Sequence, residues 1–137
     1  MSDRPKVLFV CVKNAGKSQM AAGLMKQLAG DAVVVSSAGT QVGAALNELS
    51  LESLAEIGVD ITGEHPSAIT ADMVRAADVV VTLGSEAHVD PVDGTRFEKW
   101  ITDEPSERGI DGIERMRLVR DDIARRVATL AQDVAAG

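Results

Sequence analysis

Apolar runs with strong β propensity occur at three places along the chain, and amphipathic or polar stretches separate them. They predict strands at residues 6–10, 33–36 and 77–83, and a weaker, mixed pattern predicts a fourth strand at residues 96–100. The first and third of these runs are apolar almost without interruption. That pattern is typical of strands buried on both faces, as in the middle of a parallel sheet.

Helical periodicity fills the intervals between the strands. Apolar residues spaced three and four apart predict helices at residues 18–28, 50–57, 71–76 and from 112 onward. We expect Leu28 to lie on the buried face of the first helix and Ile57 on that of the second. Thr70 is the predicted N-cap of the third helix. Residues 102–111, which contain proline and glycine, are predicted to be a loop.

Strands that alternate with helices require crossover connections, which make a sheet parallel. The predicted fold is therefore α/β, a small doubly wound four-stranded parallel sheet with helices on both faces. A chain of 137 residues is expected to form a single domain spanning residues 1–137. In such sheets ligands bind at the carboxyl ends of the strands, so the turn after the first strand is the first place to look for chemistry.

Composition excludes several classes of protein. The net charge is -7, and Phe9, Phe97 and Trp100 are the only aromatic residues, which argues against nucleic-acid binding. The apolar run at residues 7–12 is too short for a signal peptide or a membrane span. One cysteine excludes an internal disulfide and a Cys-rich zinc site, and we assign no metal. We predict a cytoplasmic protein without a membrane partner.

The turn after the first strand carries the most informative residues of the chain. Cys11 closes the strand, and Lys17 and Ser18 open the helix. Backbone N–H groups of such a loop can cradle a tetrahedral oxyanion, and the helix dipole helps them. The predicted oxyanion loop consists of Val12, Lys13, Asn14, Ala15, Gly16 and Lys17. In that field we expect Cys11 to be a thiolate nucleophile. We expect the Lys13 side chain to be solvated, and Asn14 either forms the turn or also braces the loop.

Two alternatives to a cysteine enzyme remain open at this point. Gly16-Lys17-Ser18 fits the end of a nucleotide-binding loop, but the first glycine of that motif falls on Cys11. The apolar strand at 77–83 ends in Gly84 rather than in an acidic residue that holds magnesium, so we rank this hypothesis second. A non-catalytic oxyanion-binding module is the other alternative.

The pattern Cys11, five residues, Lys17-Ser18 resembles the Cys-(five residues)-Arg-Ser loop of low-molecular-weight tyrosine phosphatases and their arsenate reductase relatives. Four further segments resemble the arsenate reductase branch. They are residues 37–40, 77–83, 100–105 and 117–123. The resemblance implies a phosphatase-like fold and thiol chemistry on an oxyanion at Cys11.

Two departures from the family pattern narrow what the resemblance implies. Lys17 stands where the family usually has arginine, and a lysine is a point charge rather than a planar fork for two oxyanion oxygens. The mycothiol-dependent arsenate reductases of actinobacteria accept lysine there. Thioredoxin-coupled enzymes carry two more cysteines after the central strand, and residues 84–91 contain none. The resemblance thus implies arsenate as substrate, mycothiol as co-substrate, no tightly bound cofactor, and a glutaredoxin-like mycoredoxin as partner.

The resemblance also implies a general acid directly before a proline. That position is Glu104, where the family has aspartate, and Asp103 is held in reserve. Ser18 is expected to steady the thiolate. A tyrosine phosphatase remains the alternative activity, although Lys17 and the absence of any tyrosine from the chain weaken it. We interpret the Arg/Asp cluster at residues 115–126 as a solvated helix face and both histidines as surface residues.

Overall fold

The computed structural model describes residues 4–136. It contains four strands, four α-helices and two short 3₁₀ turns. The strands are β1 (Lys6–Cys11), β2 (Val34–Gly39), β3 (Val79–Leu83) and β4 (Arg96–Trp100). The α-helices are α1 (Lys17–Ala29), α2 (Glu48–Ala55), α3 (Ala71–Ala76) and α4 (Gly112–Ala136). The 3₁₀ turns are Gly30–Ala32 and Pro105–Arg108. In the part of the chain so described, no helix is long and apolar enough to cross a membrane.

All four strands are parallel, and their order in the sheet is β2-β1-β3-β4. From β1 the chain continues to β2 on one side of it, and then crosses to β3 on its other side. The carboxyl end of β1 is therefore the point where the winding direction reverses, which is where open α/β sheets bind ligands. The predicted fold class is confirmed.

The two faces of the sheet are covered unequally. Val7 and Phe9 of β1 point into the larger core, which is built from α1, α2 and α4. Leu8 and Val10 point the other way, into a smaller core that includes Val74 of α3. Helices thus lie on both faces of the sheet, and α1, which follows β1, covers the face with the larger core. Side chains alternate along a strand, so Cys11 lies on the same face as Val7 and Phe9, in the larger core.

Two apolar residues expected to be buried are exposed instead. Leu28 is 57% exposed because the buried part of α1 ends at Met25, and the last turn of the helix extends beyond the core. Ile57 is 41% exposed because α2 ends at Ala55, so the helical period no longer sets its direction. The segment predicted to be a loop at 102–111 contains the 3₁₀ turn that begins at Pro105. Thr70 is the N-cap of α3, as predicted.

The interpretation of residues 115–126 as a solvated face is wrong for Arg120. This side chain is buried and donates to the Ser53 carbonyl at 2.8 Å and to Glu56 Oε1 at 2.9 Å. Arg117 holds the same carboxylate at 2.6 Å. Hydrogen bonding from Arg117, with support from Arg120, lowers the pKa of Glu56 to about 2. The two arginines therefore connect α4 to α2 through a charged network. Arg126, by contrast, makes the expected partly exposed pair with Asp122 on its own helix.

Candidate active site

Cys11, the predicted nucleophile, lies at the carboxyl end of β1, directly before the predicted oxyanion loop. Cys11 is buried, with 8% of its surface exposed, and it lines a cleft at this end of the sheet. The helix that follows begins at Lys17 with Gly16 as N-cap; among residues 4–136 no side chain caps it, and its first turn holds no acidic residue. Its first N–H groups are thus available to an anion, which the positive end of the helix dipole attracts.

The loop is held from its outer side by the segment that follows β2. Three of its carbonyl groups, and that of Cys11 directly before it, accept hydrogen bonds from backbone N–H groups of that segment. The pairs are Thr40 to Cys11 at 3.1 Å, Gln41 to Val12 at 2.7 Å, Gly43 to Lys13 at 2.9 Å and Asn47 to Ala15 at 2.7 Å. Since the carbonyl groups are bound on the outside, the loop is free to present its amides to the inside. This is the arrangement that an anion cradle needs.

Gly39, at the end of β2, lets this outer segment approach the loop. A Cβ atom at this position would lie 2.7 Å from the Val12 carbonyl oxygen and 2.9 Å from the Lys13 carbonyl carbon. Both atoms belong to backbone, which cannot move aside as a flexible side chain can. Any side chain at residue 39 would therefore push against the oxyanion loop.

Asn14 connects the loop backbone to the nucleophile. It is fully buried and has a left-handed backbone with φ of 56°, a conformation that asparagine tolerates better than most residues. Its N–H donates to Cys11 Sγ at 3.2 Å, and its side-chain Nδ2 donates to Ser18 Oγ at 2.6 Å. Ser18 Oγ lies 2.9 Å from Cys11 Sγ. The Asn14 N–H and the Ser18 hydroxyl can therefore both donate to a Cys11 thiolate, the form of cysteine that acts as nucleophile.

Lys17 and Glu104 face each other across the mouth of the site. Lys17 Nζ donates to Glu104 Oε1 at 2.6 Å, and the side chains are 24% and 38% exposed. Both line a cleft of about 240 Å³ with Cys11, and the opposite wall is the segment at residues 83–86. A cation, a carboxyl group and a thiol thus surround a space that admits a tetrahedral oxyanion.

The structure separates the two carboxyl groups that the sequence left as candidates for the general acid. Asp103 accepts two hydrogen bonds from Arg108, at 2.8 and 3.1 Å. The Arg108 guanidinium holds the pKa of Asp103 below its ordinary value. Asp103 does not line the cleft that contains Cys11 and Lys17. Glu104, which lines the cleft beside Cys11, is the better placed of the two.

One buried polar residue near the loop was missed by the sequence analysis. The Lys13 side chain is exposed, and so are His65 and His88. Gln19 is 2% exposed and its amide is hydrogen-bonded to Asn14. The available signal was a glutamine directly after the nucleophile loop, in a helical stretch that is otherwise small or apolar.

Comparison with known proteins places this geometry among related chains. Residues 6–137 match the family model described as low molecular weight phosphotyrosine protein phosphatase. An arsenate reductase of Halalkalibacterium halodurans is 34% identical over 132 residues, covering 92% of this chain and 94% of its own. Arsenate reductase 1 of Staphylococcus epidermidis is 36% identical over 132 residues, covering 93% and 96%.

Solved structures give the same picture. A thioredoxin-dependent arsenate reductase of Corynebacterium glutamicum superposes with a TM-score of 0.84 at 34% identity; the match covers 98% of this chain but 64% of that one. An arsenate reductase in its phosphate-binding state has a TM-score of 0.80 at 30% identity, covering 95% and 98%. A tyrosine phosphatase of Erwinia amylovora, with 18% identity and a TM-score of 0.79, shares the fold.

Proposed function

The chain belongs to the low molecular weight phosphotyrosine protein phosphatase family, in its arsenate reductase branch, and from this we propose that it is an arsenate reductase that passes arsenic to an external thiol, mycothiol. The observation that carries the proposal is the position of Cys11. Its sulfur lies within hydrogen-bond reach of the Asn14 N–H and the Ser18 hydroxyl, and it lines one cleft with Lys17 and Glu104.

The first step makes a sulfur–arsenic bond and breaks an arsenic–oxygen bond. Arsenate binds to the loop amides and to Lys17, where its negative charge is stabilised before and during the reaction. The Cys11 thiolate attacks arsenic from the floor of the loop. Glu104 gives its proton to the departing oxygen, which leaves as water or hydroxide according to the protonation of arsenate. Arsenic is still pentavalent after this step.

The second thiol must come from outside the 137 residues, because Cys11 is their only cysteine. Gly84, Ser85 and Glu86 line the same cleft as Cys11, and we place the incoming thiol beside them. Mycothiol displaces Cys11 at arsenic and carries away a pentavalent arseno–thiol adduct. The thiolate of a mycoredoxin then attacks the mycothiol sulfur. The electron pair of the broken sulfur–arsenic bond stays on arsenic, which leaves as arsenite, and a mixed disulfide remains.

The nucleotide-binding alternative loses its support because residues 6–137 match the phosphatase family. Tyrosine phosphatase activity stays the second candidate, since the same loop and nucleophile suit a phosphoester. Lys17 counts against it, because a lysine cannot grip two oxygens of the transition state in one plane.

The test is arsenate turnover by the purified protein with mycothiol plus mycoredoxin in one reaction and thioredoxin in another. Cys11→Ser runs beside both as the control for the nucleophile. We expect turnover that depends on Cys11 and occurs only with mycothiol. Turnover with thioredoxin alone would overturn the proposed thiol, and hydrolysis of an aryl phosphate at a rate near that on arsenate would favour the phosphatase.

A further inference from the structure

We propose that Gln19 is a positioning residue that fixes the direction of the hydrogen bonds converging on the nucleophile. This inference rests on the proposed role of Cys11 as a thiolate nucleophile. The Gln19 amide nitrogen lies 3.1 Å from Asn14 Oδ1, 3.2 Å from the Asn14 carbonyl oxygen and 3.2 Å from the His65 carbonyl oxygen. Gln19 is 2% exposed, so its amide nitrogen makes these contacts in the protein interior.

The orientation of the Asn14 amide follows from its donors. The backbone N–H of Ser67 lies 2.9 Å from one side-chain atom of Asn14, and a backbone N–H can only donate. That atom is therefore the oxygen, and Gln19 donates to it as well. The other atom, which faces Ser18 Oγ at 2.6 Å, is then the NH₂ group. Gln19 and Ser67 together exclude the flipped amide, which would place two donors against an NH₂ group.

This orientation decides what the Ser18 hydroxyl does. A hydroxyl has a single hydrogen, and here its oxygen already accepts from Asn14. The hydrogen is thus free to point at Cys11 Sγ, 2.9 Å away. Hydrogen bonds therefore run in one direction, from Gln19 and Ser67 through Asn14 and Ser18 to the sulfur. A thiolate accepts such a bond readily, whereas a thiol competes with it by donating its own hydrogen.

Gln19 also supports the backbone of Asn14, on which this series of hydrogen bonds depends. Asn14 has a positive φ, and Gln19 bonds to both its main-chain and its side-chain oxygen. The third contact, to His65, attaches this corner of the loop to the segment between α2 and α3. Gln19 does not line the cleft beside Cys11, so it acts through Asn14 and Ser18 rather than on the substrate.

The experiment measures the rate of Cys11 alkylation by iodoacetamide against pH, which needs neither arsenate nor a second thiol. Gln19→Met keeps the length of the side chain and removes its hydrogen bonds. We expect the midpoint of the profile to move to higher pH and the rate at neutral pH to fall about tenfold, as for weakening one hydrogen bond to a charged acceptor. The matched control is Gln27→Met, because Gln27 lies on the same helix and faces the carbonyl groups of Ile57 and Gly58 at 3.4–3.5 Å, away from the loop. It should leave the profile unchanged.

Ser18→Ala completes the test, since Gln19 is inferred to act through Ser18. The double variant should lose little beyond Ser18→Ala alone, because the two residues form one chain of contacts. An unchanged profile in a folded Gln19→Met protein, or fully additive losses, would overturn the inference. If Gln19→Met does not fold, the wild-type protein carries the test. The Asn14 side-chain NH₂ should exchange its hydrogens about tenfold more slowly than that of Gln27, and equal rates would contradict the inference. Normal alkylation with no arsenate turnover would instead count against the proposed function alone.

Discussion

Replacing Glu104 by glutamine should strengthen anion binding and weaken catalysis at the same time. In the free protein Lys17 Nζ is bound to Glu104 Oε1 at 2.6 Å. An oxyanion in the loop must draw Lys17 away from this carboxylate and then lie beside it. The Glu104 carboxylate consequently opposes the ground-state anion, although the proposed reaction uses Glu104 as the proton donor. Glu104→Gln removes both effects while keeping the shape of the side chain.

The expected gain in phosphate affinity follows from the exposure of the Lys17–Glu104 ion pair. With side chains 24% and 38% exposed, the ion pair contributes about 1 kcal/mol after solvent screening, which is roughly fivefold in a dissociation constant. Relief of the repulsion between a carboxylate and a dianion adds a similar amount in screened surroundings. We therefore expect phosphate to bind roughly five- to thirtyfold more tightly to the variant. Arsenate turnover should fall by about 10²–10⁴, the usual contribution of a general acid.

The assay is calorimetric titration with phosphate in a Cys11→Ser background, with and without Glu104→Gln. The variant should give the smaller dissociation constant. Asp103→Asn is the matched control, since Asp103 is bound to Arg108 instead. Weaker phosphate binding by Glu104→Gln, or turnover equal to that of the wild type, would refute the reasoning.

Three further changes test other parts of the structure. Lys17→Arg should tighten oxyanion binding and raise aryl phosphate hydrolysis, and if neither changes in steady-state assays, Lys17 does not contact the anion. Gly39→Ala should destabilise the protein by about 1–3 kcal/mol in urea denaturation, because its Cβ would meet loop backbone at 2.7 Å; Gly63→Ala, with open space around it, should not. Glu56 has its pKa lowered to about 2, mainly by Arg117, so its contribution to stability is present above about pH 4.5 and is lost as the pH falls towards 2. Between pH 6 and pH 3, urea denaturation should therefore show a larger loss of unfolding free energy for the wild type than for Glu56→Gln. Equal losses would show that the ion pairs of Glu56 with Arg117 and Arg120 do not cause this pH dependence.

The parts of the fold that follow from local pattern could be predicted from the sequence. The uninterrupted apolar runs that became β1 and β3 mark the two central strands, because only strands covered on both faces tolerate such runs. Cys11 at the end of β1, followed by a loop and a helix, defines the position of the site. Helix ends were less predictable. Leu28 and Ile57 continue the apolar spacing of their helices but are exposed, because that spacing does not show where the helix leaves the core.

The residues that were missed depend on partners far away in the chain. Arg120 is buried against Ser53 and Glu56, which lie more than sixty positions earlier in the chain. Glu104 likewise differs from Asp103 in lining the cleft with Cys11 and Lys17, which lie 93 and 87 positions earlier in the chain. Spacing along a sequence does not encode contacts of this kind, and a polar residue looks the same in a pattern whether it is solvated or satisfied inside the protein.

The two departures from the family pattern, lysine for arginine and glutamate for aspartate, form one structural unit. Glutamate reaches one methylene further than aspartate, and its carboxylate meets the ammonium group of Lys17 at 2.6 Å. An ammonium group has no fixed plane, so it can turn from the carboxylate to an oxyanion, whereas a guanidinium would hold two anion oxygens rigidly. A site that holds its anion less tightly suits the proposed mechanism, in which pentavalent arsenic passes to an outside thiol. With Cys11 as the only thiol, the exchangeable ion pair and the proposed external thiol serve the same requirement of that mechanism, in which arsenic leaves the loop before it is reduced.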